Sequence, residues 1–221
     1  MSYDVVIPAW NAEATLAETL RSVRAQTVPP QRIIVIDDGS TDATAELARA
    51  AGAELVSQPN AGPGAATTRG MATATADILA MVDADDLWLP HKMERQLAVL
   101  AAATVPTAVA TLQRQFRHGH ADDGTGEVRA GLNRSSLVLP LASARAVGPV
   151  LDIEGGRGDM VDWLRRLRAS GVVIHEIDEV LVLRRIIPGS LSHGRDPLRD
   201  RGYLAVAYQA LLAKRRSTGE P

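Results

Sequence analysis

Hydrophobic and polar positions over the first hundred residues follow two alternating rhythms. Unbroken apolar runs at residues 3–7, 32–36 and 78–82 read as strands buried on both faces, and a shorter run at 54–57 adds a fourth. Between them, Leu16, Leu20 and Val23 recur at helical spacing, as do Met93, Leu97 and Leu100 further on. Asn11 is placed to N-cap the first helix, and Ser40 or Thr41 to cap a second that carries Leu47 and Ala48. A third helix is expected over residues 65–75, and Pro90 starts a fourth. Strand and helix in alternation, joined by short connections, predict an open α/β sheet, mostly parallel and flanked by helices.

From about residue 107 the rhythm changes. Residues 107–116 and 128–139 read as strands on either side of a polar loop, and residues 157–170 as a helix. Two further apolar runs follow at 172–177 and 180–187, and a closing helix is expected over 196–216. With no internal repeat and no clean linker, the second half reads as a smaller lobe of the same domain.

Acidic residues sit where two strands end. Ile36 runs into Asp37-Asp38-Gly39-Ser40-Thr41-Asp42, and Val82 into Asp83-Ala84-Asp85-Asp86. Ligands in such sheets bind beyond the carboxyl ends of the strands. Clustered carboxylates repel one another without a cation, and hard oxygen ligands suit Mg²⁺ or Mn²⁺, which commonly accompany phosphates. The same acids also fit a solvated turn that caps the next helix.

Composition narrows the classes. The 221 residues are 46% apolar with a net charge of −2, which fits a soluble globular protein and gives a nucleic-acid partner no support. No cysteine is present, so thiolate catalysis and Cys-ligated zinc are excluded, and a cytoplasmic address is expected. No apolar run approaches the roughly 20 residues of a membrane span, and no signal peptide is visible.

Taken together, Val5-Val6-Ile7-Pro8-Ala9-Trp10-Asn11, the Asp37–Asp42 segment and Val82-Asp83-Ala84-Asp85-Asp86 resemble the family 2 glycosyltransferases of the GT-A (Rossmann-like) fold. The resemblance is strong over residues 3 to about 100 and weaker to about 193. It implies an inverting, metal-assisted hexosyltransferase with a nucleoside diphosphate sugar donor, UDP-sugar favoured. One domain is implied, with a nucleotide-sugar-binding half (1–103), an acceptor and catalytic-base half (104–196) and a C-terminal helix and tail (197–221). The acceptor, whether glycan, lipid-linked sugar, peptide or small natural product, has no readable code.

On that resemblance, Pro8 and Ala9 offer backbone to the base, Asp38 accepts from it, and Asp37 holds the turn or the ribose. Asp83 takes the ribose, with Ala84 beside it, while Asp85 binds Mn²⁺ or Mg²⁺ and Asp86 is structural. Arg69 falls near the family's Arg-Asn-x-Gly segment and is a candidate diphosphate donor. The general base is expected on the helix beginning Gly158-Asp159-Met160-Val161-Asp162-Trp163. At about 100° per residue, Met160, Val161, Trp163, Leu164 and Leu167 form an apolar arc with Asp159 at its edge and Asp162 on the polar face. Asp159 is therefore the expected base and Asp162 the runner-up. Gly70, Gly158 and Ile187 depart from the family pattern, the last standing where a His is usual. They suggest an alternative: a noncatalytic nucleotide-sugar-binding or scaffold protein of the same fold. The three tryptophans, Trp10, Trp88 and Trp163, each adjoin a motif and fit either sugar or base stacking or core packing.

Overall fold

The computed structural model describes residues 1–153, 158–189 and 201–202. The first half alternates as the apolar runs require: β1 (Tyr3–Ala9), α1 (Leu16–Arg24), β2 (Arg32–Asp37), α2 (Thr44–Ala50), β3 (Glu54–Ser57), α3 (Pro63–Thr73) and β4 (Ile78–Met81). A two-residue strand, β5 (Leu87–Trp88), then precedes α4 (Lys92–Ala102). The second half comprises β6 (Thr107–Arg117), β7 (Val128–Ala130), β8 (Val138–Pro140), α5 (Leu141–Val147), α6 (Asp159–Ala169) and β9 (Val173–Ile186).

All nine strands join one sheet in the order β3-β2-β1-β4-β8-β6-β9-β5, with β7 on β6. Strands β1 to β4 are parallel, β8 runs against β4 and β6, and β9 lies parallel to β6. The sheet is thus mixed, yet β1, β2, β3, β4, β6 and β9 all point the same way. Their carboxyl ends share one edge, and β8, running in reverse, brings its incoming loop to that same edge.

Burial on both faces follows from strand alternation. Val5 and Ile7 pack with Leu16, Leu20 and Val23 of α1, whereas Val6 faces Met71 of α3 and Trp163 of α6. Gly70 allows that second contact: a Cβ there would lie 2.1 Å from Val6 Cγ1, so α3 rests directly against β1. At the opposite edge Asp4, fully buried, accepts from Arg32 at 2.8 Å and from the Thr75 and Ala76 N–H groups.

Several local expectations change. Asn11 does not cap α1; it adopts φ 46° and its Oδ1 accepts from the Thr41 N–H at 2.9 Å, tying the loop after β1 to the loop after β2. Neither Ser40 nor Thr41 caps α2, because Asp42 accepts from the Thr44 N–H at 3.0 Å instead. The single strand expected over 128–139 is two strands separated by a turn at 131–137, and α5 was not foreseen. The two runs expected over 172–187 form one long strand, with register shifts opposite Thr111 to Gln113. The helix expected over 196–216 lies almost wholly outside the described residues. No helix among them is long and apolar enough to cross a membrane.

Candidate active site

The strand order reverses between β1 and β4, which is where a parallel sheet opens a crevice beyond its carboxyl edge. β1 pairs with β4 only as far as Val6 opposite Met81, but continues along β2 to Ala9 opposite Asp37. Pro8, lacking an N–H, falls in the stretch that has left β4. The Ala9 carbonyl accepts from the Asp38 N–H at 2.8 Å. Trp10 follows at the rim, 59% exposed, whereas Trp88 and Trp163 are core residues whose indole N–H groups bond the Ser135 and Gly148 carbonyls. Core packing therefore accounts for two tryptophans and leaves Trp10 on the surface.

Asp37 and Asp38 divide their work. Asp37 accepts from the Ser40 N–H at 3.0 Å and so closes the turn after β2. Both oxygens of Asp38 are engaged by the neighbouring loop: Oδ1 accepts from Gln58 at 2.8 Å and the Ala61 N–H at 2.9 Å, and Oδ2 from the Gly62 N–H at 2.8 Å. Asp38 thus braces residues 58–62 and retains little accepting capacity of its own.

The turn after β4 is held from below and behind. Thr19 of α1 donates to the Ala84 and Asp86 carbonyls, at 3.0 and 2.9 Å. Asp86 is fully enclosed and accepts from Ser135 Oγ at 2.6 Å and the Arg185 N–H at 3.0 Å. Burial, and then the charges of Asp85 and Asp83, push its carboxyl well above the ordinary carboxylate range. Both of these bonds tie Asp86 to the second half of the chain and not to the turn that follows it. Asp85 differs: burial first and the Asp83 charge second push it up to about 6, opposed by Arg184 and Arg185. Its carbonyl accepts from Arg185 Nε at 2.8 Å, while no side chain among the described residues donates to its carboxylate. Arg185 is otherwise committed to Glu18 and to the Phe116 ring, 4.6 Å away.

Among the described residues no group of three or more acids or histidines is arranged to hold a metal. Mg²⁺-type sites characteristically use one or two carboxylates and complete their shell with substrate phosphates. A single available carboxylate whose charge is disfavoured in the free protein fits such a shared ion, and Asp85 is that carboxylate.

Asp83 is reached from the second half of the chain. Arg134, on the turn between β7 and β8, donates through one terminal nitrogen to Asp83 and through the other, at 2.7 Å, to Asp159 on the first turn of α6. Burial works against the Arg134 charge, but the two carboxylates outweigh it and raise the guanidinium above its ordinary value. Two of the acids singled out in the sequence are therefore joined by a residue that was not. Asp162 has other partners: Arg165 at 2.9 Å and Arg166 at 2.8 Å, both on its own helix. Burial opposes its charge, yet those donors hold its carboxyl below the usual value. The helical-wheel expectation also needs correcting, since Val161 is 46% exposed while Asp162 is 9% exposed.

Arg69 is exposed on α3, about 9 Å of helix rise from Pro63. At the start of that helix Asp152, missed in the sequence, accepts from the Gly64 and Ala65 N–H groups at 2.8 and 2.7 Å. A Cβ at Gly62 or Gly64 would press on its carboxylate. Gly158 precedes α6 with φ 105°, a conformation that suits glycine. Ile187 follows directly on β9. Gly131, Asn133 and the serines at 135 and 136 are turn-forming residues that could have revealed the Arg134 turn.

Residues 4–127 match the family model described as Glycosyl transferase family 2. An uncharacterized glycosyltransferase of Nostoc sp. is 36% identical over 111 residues, covering 48% of this chain and 34% of its own length. Protein RfbJ of Shigella flexneri is 31% identical over 124 residues, covering 52% of this chain and 93% of its own. In structure the chain is similar to S. aureus TarS 1–349 in complex with UDP-GlcNAc, at a TM-score of 0.70 and 17% identity, over 89% of this chain and 62% of that one. The chain spans about a third of the Nostoc relative's length.

Proposed function

We propose that this chain, which belongs to glycosyl transferase family 2, moves a sugar from a nucleoside diphosphate donor to an acceptor hydroxyl with inversion. The observation that carries this is the hydrogen-bonded chain Asp83–Arg134–Asp159, which links the acidic turn after β4 to an acid of the second half. UDP is the favoured nucleotide, in keeping with the UDP-GlcNAc complex of the TarS neighbour. The division into a donor half (1–103) and an acceptor half (104–196) follows the same line.

In this mechanism Trp10 offers an exposed ring to the base, Pro8 and Ala9 supply backbone, and Asp37 with Asp38 shape the turns around it. Asp83 takes the ribose. Asp85 holds Mn²⁺ or Mg²⁺, which when bound offsets the charge that develops on the departing diphosphate. The acceptor oxygen attacks the anomeric carbon as the bond to the diphosphate breaks, and Asp159 accepts the hydroxyl proton. Asp162, bound to Arg165 and Arg166, does not serve as base.

The noncatalytic alternative loses two of its three supports. Gly70 is required by the contact with Val6, and Gly158 by its positive φ, so neither marks a decayed site. Calorimetry with UDP-, GDP- and dTDP-sugars in the presence of Mn²⁺ is expected to show binding of a UDP-sugar. Silence across the whole panel would sink the proposal.

A further inference from the structure

We infer that Arg134 is a positioning residue that fixes the base Asp159 relative to the donor by bridging it to Asp83. The inference rests on the transfer reaction proposed above and adds a residue to it.

The backbone that carries Arg134 is held on several sides. Ser135 Oγ donates to Asp86 and accepts from the Asp83 N–H at 3.1 Å, while the Ser135 carbonyl accepts from Trp88 Nε1 at 2.8 Å. One residue on, the Ser136 carbonyl accepts from Gln96 at 2.7 Å, and Asn133 donates to Gln113 at 2.6 Å. The guanidinium therefore extends from a fixed base, and its residue is 6% exposed.

How that guanidinium is used is informative. Arg beside one carboxylate commonly pairs through two parallel bonds. Arg134 instead divides its terminal nitrogens between two acids, 51 residues before it and 25 after it. Its Nε is buried with no partner among the described residues, so the group is oriented for the two acids at the expense of its third donor. Among the described residues, Arg134 is the side chain that donates to Asp159. The base stands at the entrance of α6, next to a glycine in the left-handed region, where the backbone by itself gives its carboxylate little orientation. A lysine, with a single compact ammonium, cannot span the two carboxylates as a planar fork does.

The test uses the full chain with UDP-sugar and Mn²⁺. Donor hydrolysis, in which water replaces the acceptor, is measured for the unaltered protein, Arg134→Met, Arg134→Lys, Asp159→Asn and the double variant Arg134→Met/Asp159→Asn. UDP affinity is followed by calorimetry. Arg134→Met is expected to lower kcat about 100-fold, with a much smaller change in donor KM, and the double variant to be no slower than Asp159→Asn alone. Arg134→Lys should recover a minor part of the rate. If Arg134→Met does not fold, Arg134→Lys alone and combined with Asp159→Asn supplies the same comparison. Rate losses that multiply in the double variant, or full activity without Arg134, would overturn the assignment while leaving the transfer reaction standing. An unaltered protein that neither binds nor hydrolyses any nucleotide sugar would overturn both.

Discussion

Asp159 and Asp162 lie one helical turn apart on α6 yet answer to different partners. The first is bonded to Arg134 and through it to the turn after β4, and the second to Arg165 and Arg166 of its own helix. Asp159→Asn is expected to lower turnover by about 10²- to 10⁴-fold with UDP binding retained. Asp162→Asn should keep turnover within a few-fold and lower stability by about 1 kcal/mol, the upper range for partly exposed ion pairs. Steady-state kinetics beside denaturant melts separates the two, and an inactive Asp162→Asn with a fully active Asp159→Asn would exchange their roles.

Trp10 is the one tryptophan outside the core. Trp10→Ala should leave the melting temperature unchanged and weaken UDP binding by about 1–3 kcal/mol, the usual worth of a base stacked on an aromatic ring. Calorimetry checks this directly, and unaltered affinity would remove Trp10 from the nucleotide site.

Ion-dependent donor binding should fall in acid because of Asp85. Its folded value lies near 6 against an ordinary 3.8, so the folded protein favours the neutral carboxyl, and stability from that protonation is lost as pH rises through 6. The ion needs the carboxylate. Affinity for UDP with Mn²⁺ should therefore drop by up to about tenfold per pH unit below 6, with the Asp85 proton released to solvent on binding. Titrations in buffers of different ionisation enthalpy will detect the released proton, and Asp85→Asn should abolish it.

Gly70 carries a steric prediction. Gly70→Ala should cost about 1–3 kcal/mol as an overpacked contact, even though alanine is the better helix former. Shortening the facing residue in a Val6→Ala/Gly70→Ala variant should recover part of the loss. A Gly70→Ala protein as stable as the original would mean that α3 and β1 are not in close contact.

Lys92 is entirely buried, over the Trp88 ring at 3.9 Å and bonded to Gln96 at 2.7 Å. Burial holds its amine well below the ordinary 10.5. Between that lowered value and 10.5 the unfolded chain binds the proton and the folded chain does not, so stability rises with pH. Denaturant midpoints of the unaltered protein should climb between pH 8 and 10 more steeply than those of Lys92→Met. Parallel pH profiles would show that the amine keeps its charge in the core.

The first half was legible because its signals are local. Apolar runs mark β1, β2 and β4 wherever they pair, and Asp37, Asp83 and Asp85 follow directly in the chain from strands whose ends the sheet aligns. The second half hid its contribution in contacts between distant residues. Arg134 lies among turn formers, Gly131, Asn133, Ser135 and Ser136, inside a longer apolar stretch, and the reversal of β8 brings it to the carboxyl edge. Asp152 meets α3 across 88 residues, with no local pattern to announce it. Likewise, Asp162 became buried because Arg166 reaches across to the Val147 and Pro149 carbonyls, a contact that a helical wheel cannot contain.

The enclosure of Asp86 bears on the order in which the molecule assembles. Its carboxylate partners lie 49 and 99 residues further along the chain, at Ser135 and Arg185. During synthesis the four parallel strands of the first half can collapse long before either partner leaves the ribosome. Ser135 can reach one oxygen first, but until β9 docks the other has no Arg185 N–H to replace water and stays hydrated. The last strand among the described residues is therefore also what completes the enclosure of the turn after β4, and a nascent chain lacking it would have much of the scaffold but an unfinished carboxyl edge.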